Sequence, residues 1–286
     1  MTMPELFRLA AVSYRYPDGS NGLDQCSLTI RRGSRTAVMG VNGAGKTTLL
    51  LQLNGILRPV DGTVCFNGLP LDYSRLGLQR LRSQVGLLFQ NPDSQLLSAS
   101  VQEDVSFGPI NLGLGTAEVR ARVATALQTV GMGAYADKPV HALSHGQKKR
   151  VCIAGLLAME PEVLILDEPM AGLDQPMQDE LEAILETLHR RGMTIIIASH
   201  DIDFIYRWSD QMLLLANGSC MHALQTGQLP DLLHLFSGQA LGIPAVITVY
   251  QSLLEQRLIP AEAVPPRSIS ELTALIRQQS VSVRSI

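Results

Sequence analysis

Residues 40–47 read GVNGAGKT and decide the fold of this chain, because they fit the pattern G-x-x-x-x-G-K-[ST]. They follow SRTAVM, an apolar segment typical of a strand, and they precede LLLQLNGILR, in which the apolar residues have helical spacing. Glycines let the backbone fold around phosphate oxygens, so that successive N–H groups and the positive end of the helix point at an anion. The stretch therefore predicts a phosphate-binding loop between a strand and a helix.

This loop supplies most of a predicted nucleotide site. Lys46 is expected to contact the β and γ phosphates, and the Thr47 hydroxyl is expected to bind Mg²⁺, which prefers oxygen ligands. A glycine turn with an ordinary surface lysine is the alternative, but the strand and helix around it argue against that. The predicted nucleotide-binding residues of the loop are Gly40, Asn42, Gly43, Ala44, Gly45, Lys46, Thr47 and Thr48.

A buried strand is predicted at residues 163–167, VLILD, and two carboxylates, Asp167 and Glu168, stand at its carboxyl end. Open α/β sheets bind their ligands at this edge. Asp167 is expected to hold Mg²⁺, directly or through water. Glu168 is expected to accept a proton from an attacking water or to position that water.

Two further apolar segments carry polar residues to the same edge. QVGLLFQ ends at Gln90, and TIIIASH ends at His200. Gln90 is expected to sense the γ-phosphate or its water and to contact Mg²⁺, whereas His200 is expected to hydrogen-bond the phosphate or to be a satisfied polar residue. Tyr16, which precedes a PDG turn, is expected to stack on a base or to pack at the edge of a sheet.

The order of the predicted elements indicates an α/β fold with a mostly parallel core sheet. Short alternating segments within residues 5–37 predict strands, an antiparallel β subdomain is expected beside the core sheet, and residues 94–159 predict a mainly helical insertion. After Ser237 the apolar pattern loosens between several prolines, so that a C-terminal extension is expected there. The predicted division is 1–236 and 237–286.

Composition excludes several classes of protein. The 286 residues carry a formal charge of −3 and are 46% hydrophobic, which is typical of a folded protein and argues against a nucleic-acid partner. The longest apolar runs are far shorter than the ~20 residues that cross a bilayer. The N-terminus lacks a secretory signal, so a cytosolic location is expected. The four cysteines lie far apart, which predicts neither a zinc site nor a disulfide.

Residues 143–151, LSHGQKKRV, predict a second helix start with Ser144 as its N-cap. The first turn of such a helix is a backbone anion site. Since one nucleotide already has its loop, a two-fold dimer in which each Ser144 faces the nucleotide of the other copy would use both sites. An ordinary N-cap remains the alternative.

Taken together, these motifs resemble the nucleotide-binding subunit of ATP-binding-cassette (ABC) transporters over about residues 5–230. GVNGAGKTT resembles Walker A, Gln90 the Q-loop residue, LSHGQ the signature, LILDEP Walker B, AGLD the D-loop, and His200 the switch histidine. The resemblance implies ATP as the nucleotide and a role for Asp174 in the D-loop. It also implies that Ser144, His145, Gly146 and Gln147 contact the nucleotide of a second subunit. His145 departs from the family pattern, which has glycine there.

LSHGQKKRV and FQNPDSQL further resemble the ATPases of energy-coupling-factor importers for metals and vitamins, and PLDYSRLGLQRLR resembles those for cobalt. This implies a homodimer or a dimer of paralogues on the cytoplasmic face of the membrane. The partners implied are an integral membrane coupling protein, contacted near Asn91, Pro92, Asp93 and Gln95, and a substrate-binding membrane component. Nickel or a vitamin, a soluble cassette ATPase, and a P-loop kinase or GTPase are the alternatives.

Overall fold

The helices and strands follow the predicted order around the phosphate-binding loop. The computed structural model describes residues 4–235 and 242–283. The strands are β1 Glu5–Arg15, β2 Asn21–Arg31, β3 Arg35–Met39, β4 Asp61–Phe66, β5 Leu69–Pro70, β6 Val85–Leu88, β7 Val163–Asp167, β8 Thr194–Ala198, β9 Gln211–Ala216 and β10 Ser219–Gln225. The helices are α1 Lys46–Leu53, α2 Arg75–Gln84, α3 Val101–Asn111, α4 Thr116–Thr129, α5 His145–Leu157, α6 Gln175–Arg190, α7 Ile202–Trp208, α8 Ala245–Glu255 and α9 Ile269–Val283. Short 3₁₀ segments lie at Pro92–Ser94, Gly133–Tyr135, Val140–Ala142 and Thr226–Leu235.

The core is a six-stranded sheet in the order β10-β9-β3-β8-β7-β6. Five strands run parallel, and β10 pairs antiparallel with β9 at one edge. Successive residues of one strand face opposite sides of a sheet, and both sides are buried here. Leu164 and Ile195 belong to one hydrophobic cluster, whereas Ile165 and Ile196 belong to another. The predicted buried, mostly parallel sheet is therefore confirmed.

A second sheet, in the order β2-β1-β4-β5, is entirely antiparallel. Together with α1 it covers one face of the core sheet, because Phe7 of β1, Leu49 of α1 and Ile165 of β7 share a hydrophobic cluster. This is the predicted antiparallel β part of the fold.

The helices α3, α4 and α5 cover the other face and lie within residues 94–159, which the sequence predicts to be mainly helical. Val105, Val123 and Val151, one from each helix, join the cluster that contains Leu164 of the sheet. The division of the chain into domains stays a prediction, and its boundary at 236/237 falls outside the described residues.

The C-terminal helices α8 and α9 pack on this same face. Ile247 and Tyr250 of α8 and Leu272 of α9 share a cluster with Phe204 of α7. The Ala245 N–H also donates a hydrogen bond of 2.7 Å to Asp203 Oδ1. The extension is therefore attached to α7, and its expected role in dimerisation stays a prediction.

Two strands end earlier than the segments predicted at 84–90 and 194–200. β6 ends at Leu88 because the next N–H group, that of Phe89, donates to the side-chain oxygen of Gln95 at 2.8 Å. β8 ends at Ala198, and the hydroxyl of Ser199 then accepts the N–H of Asp201, which turns the chain. The predicted strand ends were wrong by two residues, and Gln90 and His200 consequently stand free of the sheet.

Candidate functional site

The phosphate-binding loop lies between β3 and α1, where its glycines are required by geometry. Gly43 and Gly45 have φ of +81° and +101°, which other residues rarely adopt. A Cβ atom on Gly45 would lie 2.5 Å from the Gly22 carbonyl oxygen, and one on Gly40 would lie 2.5 Å from the Leu215 carbonyl oxygen. The backbone therefore runs through spaces that admit glycine alone.

Lys46 is the first residue of α1 and is only 8% exposed. Its Nζ donates hydrogen bonds to the carbonyl oxygens of Gly40 at 2.7 Å and Val41 at 3.3 Å. The first turn of α1 contains no acidic residue. The buried Lys46 ammonium and the N–H groups at the start of α1, which have no acidic side chain beside them, thus lie together next to the loop. This arrangement binds phosphate.

Thr47 and Asp167 meet across the cleft from different elements. The Thr47 hydroxyl donates to Asp167 Oδ2 at 2.7 Å. Burial raises the pKa of the Asp167 carboxyl, and the bond from Thr47 opposes this shift. A hydroxyl and a carboxylate oxygen side by side are hard oxygen donors, so this pair fits the ligand preference of Mg²⁺.

Glu168 and His200 form the second polar contact of the site. His200 Nδ1 lies 3.0 Å from each carboxylate oxygen of Glu168. The Glu168 side chain is 12% exposed, whereas that of His200 is 72% exposed. Glu168 has a φ of +47°, and its N–H donates to the Ala198 carbonyl of β8 at 2.9 Å. The Glu168 backbone is therefore fixed by its bond to β8, and the Glu168 carboxylate is fixed by its contact with the His200 imidazole.

These residues line one open cleft of about 610 Å³. The cleft brings together most of the predicted site: Tyr16, Asn42, Gly43, Gly45, Lys46, Thr47, Thr48, Gln90, Asp167, Glu168 and His200. Gly40 and Ala44 are buried behind the loop. Three lining residues were missed by the sequence analysis, namely Ser20, Asn21 and Gly22. The turn after Tyr16 could have indicated them, because a turn brings the residues that follow it back towards the phosphate-binding loop.

Tyr16 is placed at this cleft by contacts within the chain. Its hydroxyl forms a hydrogen bond of 2.9 Å with Thr48 Oγ1, and its ring meets that of Tyr14 edge to face at 5.1 Å. Both contacts fix the ring beside the loop. The expected stacking of Tyr16 on adenine stays a prediction.

The segment LSHGQ forms the start of α5, as predicted. The Ser144 hydroxyl accepts the Gln147 N–H at 3.3 Å, and the Gln147 side chain accepts the Ser144 N–H at 3.0 Å, which is a capping box. Ser144 and His145 are exposed, whereas Gly146 is buried. Asp174 in turn caps α6 by accepting the Met177 N–H at 3.0 Å.

None of the described residues that line the cleft comes from this segment or from Asp174. The structure therefore does not bring them to the nucleotide site of their own chain. Their predicted action on a second subunit stays a prediction, and the local contacts show only how each helix is capped.

A family model described as ABC transporter matches residues 23–171, which include the loop, the carboxylates and the LSHGQ segment. The chain belongs to the ABC transporter family. As an ABC ATPase it binds and hydrolyses ATP. A P-loop kinase or GTPase is thereby excluded.

Two relatives agree with this assignment. A putative ABC transporter ATP-binding protein of Methanothermobacter marburgensis is 41% identical over 268 residues, which cover 94% of this chain and 96% of the relative. The energy-coupling factor transporter ATP-binding protein EcfA of Methanothermobacter thermautotrophicus is 49% identical over 213 residues, which cover 74% of this chain and 68% of EcfA. The predicted resemblance to energy-coupling-factor ATPases is confirmed.

Solved structures confirm the fold of the ABC ATPase. CbiO1 of Clostridium perfringens, described as part of the ABC transporter complex CbiONQ, has a TM-score of 0.74 at 42% identity over 86% of this chain and 99% of CbiO1. The ATP-binding cassette MJ0796, a dimer in a post-hydrolysis state bound to ADP and phosphate, has a TM-score of 0.71 at 25% identity over 77% of this chain and 99% of MJ0796. Within residues 4–235 and 242–283, no helix has the length and hydropathy needed to cross a membrane.

Proposed function

We propose that this ABC ATPase is the ATP-hydrolysing subunit of an energy-coupling-factor transporter that imports cobalt ions. The observation that carries the proposal is the similarity to CbiO1, a component of the CbiONQ complex, over 99% of that protein. The 49% identity to EcfA supports the energy-coupling-factor assignment independently of the substrate. Nickel, a vitamin and a soluble role without transport are outcomes that the test below separates.

The working unit is a dimer of two such ATPases, identical or paralogous, arranged head to tail. Ser144 is exposed at the start of α5 but does not line the cleft that contains Lys46. A second copy in head-to-tail orientation would place the Ser144, His145, Gly146 and Gln147 segment over the nucleotide of the first. The dimeric state of MJ0796 with ADP and phosphate supports this arrangement.

ATP binding is assigned to the loop and to Lys46. The carbonyl groups of Gly40 and Val41 already hold the Lys46 ammonium at the mouth of the loop, so that little reorganisation is needed when phosphate arrives. Thr47, Asp167 and Gln90 are the residues that would hold Mg²⁺. The ion would neutralise charge on the phosphate oxygens.

Hydrolysis is assigned to Glu168, assisted by His200. Glu168 lines the cleft and is the carboxylate placed to accept a proton from an attacking water. His200 Nδ1, equidistant from both carboxylate oxygens, restrains their orientation while its exposed ring remains able to reach a phosphate. Gln90 lies two residues after the end of β6, lines the same cleft and is assigned to the detection of the γ-phosphate.

A groove lined by Gln95, five residues after Gln90, is the proposed contact with a helix of the membrane coupling protein. Its volume is about 850 Å³, and its walls come from α2, α3 and α5. Leu97 and Phe107 on its rim are 77% and 58% exposed, which suits an apolar partner. Through this groove the ATPase would sit peripherally on the cytoplasmic face of the membrane, with a substrate-binding component in the same complex.

The residues after Gln90 that are expected to make this contact differ in their exposure. Pro92 is buried, and the Gln95 amide is bonded to β6, since it accepts from Phe89 and donates to the Leu87 carbonyl at 2.9 Å. The expected contacts of Pro92 and Gln95 with the coupling protein stay predictions. Gln95 is half-buried and lines the groove, although its amide is bonded within the chain. Asn91 and Asp93 remain exposed.

The proposal is tested by tagging the full chain, purifying its membrane complex and reconstituting it in liposomes loaded with MgATP. We expect ATP-dependent uptake of cobalt that exceeds uptake of nickel and of vitamins, and loss of that uptake in a complex with Glu168→Gln. Purification without any membrane protein would contradict the importer role. Preferential uptake of nickel or a vitamin would contradict only the substrate.

A further inference from the structure

Lys149 is a buried cation that the predicted site does not include. It lies on α5, five residues after Ser144, and is only 1% exposed. Its Nζ donates hydrogen bonds to the carbonyl oxygens of Ala171 at 2.6 Å and Pro169 at 2.8 Å, and it lies 3.5 Å from that of Glu168. Three carbonyls of one turn thus converge on a single ammonium group, which has three N–H donors to offer.

A lysine in such a place costs stability unless its charge is compensated. Burial lowers the pKa of Lys149 to about 8, and the charge of Glu168 opposes this shift. An apolar side chain would avoid the cost of burying the charge, but it would leave inward-pointing carbonyls without a donor. The ammonium is therefore matched to this particular turn of the backbone.

The turn that Lys149 binds carries the catalytic carboxylate. Glu168 begins the turn with a φ of +47°, and the Ala171 N–H closes it on the Glu168 carbonyl at 3.2 Å. Residues in the left-handed region persist only where the surroundings impose that conformation. Lys149 supplies part of this restraint, because it holds the carbonyl oxygens that follow Glu168.

The first turns of α5 run along the same segment at two further points. A Cβ atom on Gly172 would lie 3.4 Å from His145 Nε2, and one on Gly146 would lie 2.6 Å from Met177 Sδ. His145 and Lys149 are four residues apart and so share a face of the helix. α5 and the segment from Glu168 to Met177 are therefore packed as one unit, with Lys149 as the polar bond between them.

We propose that Lys149 is a positioning residue that holds the Glu168 turn against α5 and so ties the placement of the catalytic carboxylate to the helix that begins at Ser144. The inference rests on the role proposed for Glu168. A displacement of Ser144 would reach Glu168 through a helix and three hydrogen bonds, with no flexible loop between them.

The test compares Lys149→Met, Lys149→Gln and Arg150→Met in the full chain with the wild type. Methionine keeps the apolar stem of lysine without its donors, glutamine keeps an amide donor, and Arg150→Met removes the neighbouring cation, which pairs with the exposed Glu180 at 3.0 Å. The readouts are kcat and KM for MgATP hydrolysis, the Kd of a fluorescent ATP analogue, and the melting temperature.

For Lys149→Met we expect kcat to fall about ten- to a hundred-fold, since misplacing a catalytic group by about 1 Å has effects of this order. The KM and the Kd should stay within about two-fold, since the loop that binds phosphate is untouched. Lys149→Gln should recover part of kcat, and Arg150→Met should retain it.

Three results would overturn the inference: an unchanged kcat in Lys149→Met, a parallel loss of nucleotide binding, or a Lys149→Gln variant no better than Lys149→Met. If Lys149→Met does not fold, the Gln variant decides, because it must then fold and show a reduced kcat at unchanged Kd. Glu168→Gln in the same assay tests the proposed role of Glu168 separately, and neither assay depends on which ion is imported.

Discussion

Charged residues have opposite surroundings at the two ends of the strands of the core sheet. The carboxyl ends are called the carboxyl or cleft edge here, and the amino ends the opposite edge. At the carboxyl edge, Lys46, Asp167 and Glu168 face an open cleft. At the other edge, Arg35 at the start of β3 donates to Asp210 at 2.8 Å and to Glu186 at 3.0 Å, and its guanidinium stands 5.8 Å from the Trp208 ring centroid.

This difference suggests that charged residues at one end of the strands serve activity and those at the other end serve stability. Charges that satisfy each other contribute to folding, whereas charges that face a cleft are available for a ligand. The left-handed backbone at Gly43, Gly45 and Glu168 is also at the cleft edge. Substitutions at the two edges should therefore change different measurements.

The largest effect is expected for Glu168→Gln at the cleft edge. The amide cannot accept a proton, so that kcat should fall about 10²- to 10⁴-fold while ATP binding persists. With ATP present the variant should accumulate as a dimer. Steady-state ATPase rates and size-exclusion chromatography measure both effects, with the exposed Glu118→Gln as the control. Hydrolysis at nearly the wild-type rate would refute the assignment of Glu168.

Lys46→Met should weaken nucleotide binding roughly a hundred-fold, because charge-assisted hydrogen bonds to phosphate are lost. The Kd of a fluorescent ATP analogue measures this loss. Lys138→Met removes a lysine outside the cleft and should leave the Kd unchanged. Equal affinities of the Lys46 variant and the wild type would show that the backbone alone binds the phosphates.

Arg35→Met tests the opposite edge. It leaves Asp210 and Glu186 without their shared partner, so the free energy of unfolding should fall by about 2 kcal/mol. Urea denaturation measures the change, and the Kd for nucleotide should not move. Arg8→Met, which removes an exposed pair with Glu5, should cost less than about 0.5 kcal/mol. Similar losses in both variants would contradict the comparison.

The smallest effect is expected for Arg267→Met, which affects the attachment of the C-terminal extension. Burial lowers the pKa of Arg267, whose guanidinium donates to the carbonyls of Tyr206, at 2.9 Å, and Ser209. Losing these bonds should cost about 1 kcal/mol and should speed amide hydrogen exchange in α8. Arg277→Met, at an exposed position of α9, is the control. Unchanged exchange in α8 would show that the apolar contacts suffice.

Sequence patterns predicted the residues at the cleft edge better than the contacts of Arg35 at the opposite edge. The residues of the cleft follow apolar runs or stand in a glycine-rich loop, and parallel strands necessarily bring their carboxyl ends together. The contacts of Arg35 join residues that lie more than 150 positions apart in the chain, and its neighbours RRGSRT give no sign of them. The two bonds of Gln95, to Leu87 of β6 and to Phe89 just after it, could likewise not be predicted, because they depend on how the chain turns back after Gln90.

The amino-acid sequence by itself determined the loop, the buried parallel strands and the carboxylates at their ends, because local periodicity and backbone chemistry specify these features over a few residues. Only the tertiary structure decided where β6 and β8 end, which of the residues after Gln90 stay exposed, and that Lys149 binds the Glu168 turn. The strand ends depend on which side chain accepts the next free N–H group, Gln95 after β6 and Ser199 after β8, and the Lys149 contact joins segments that become neighbours only when the chain has folded. In each case the identity of a residue does not reveal the partner that it bonds.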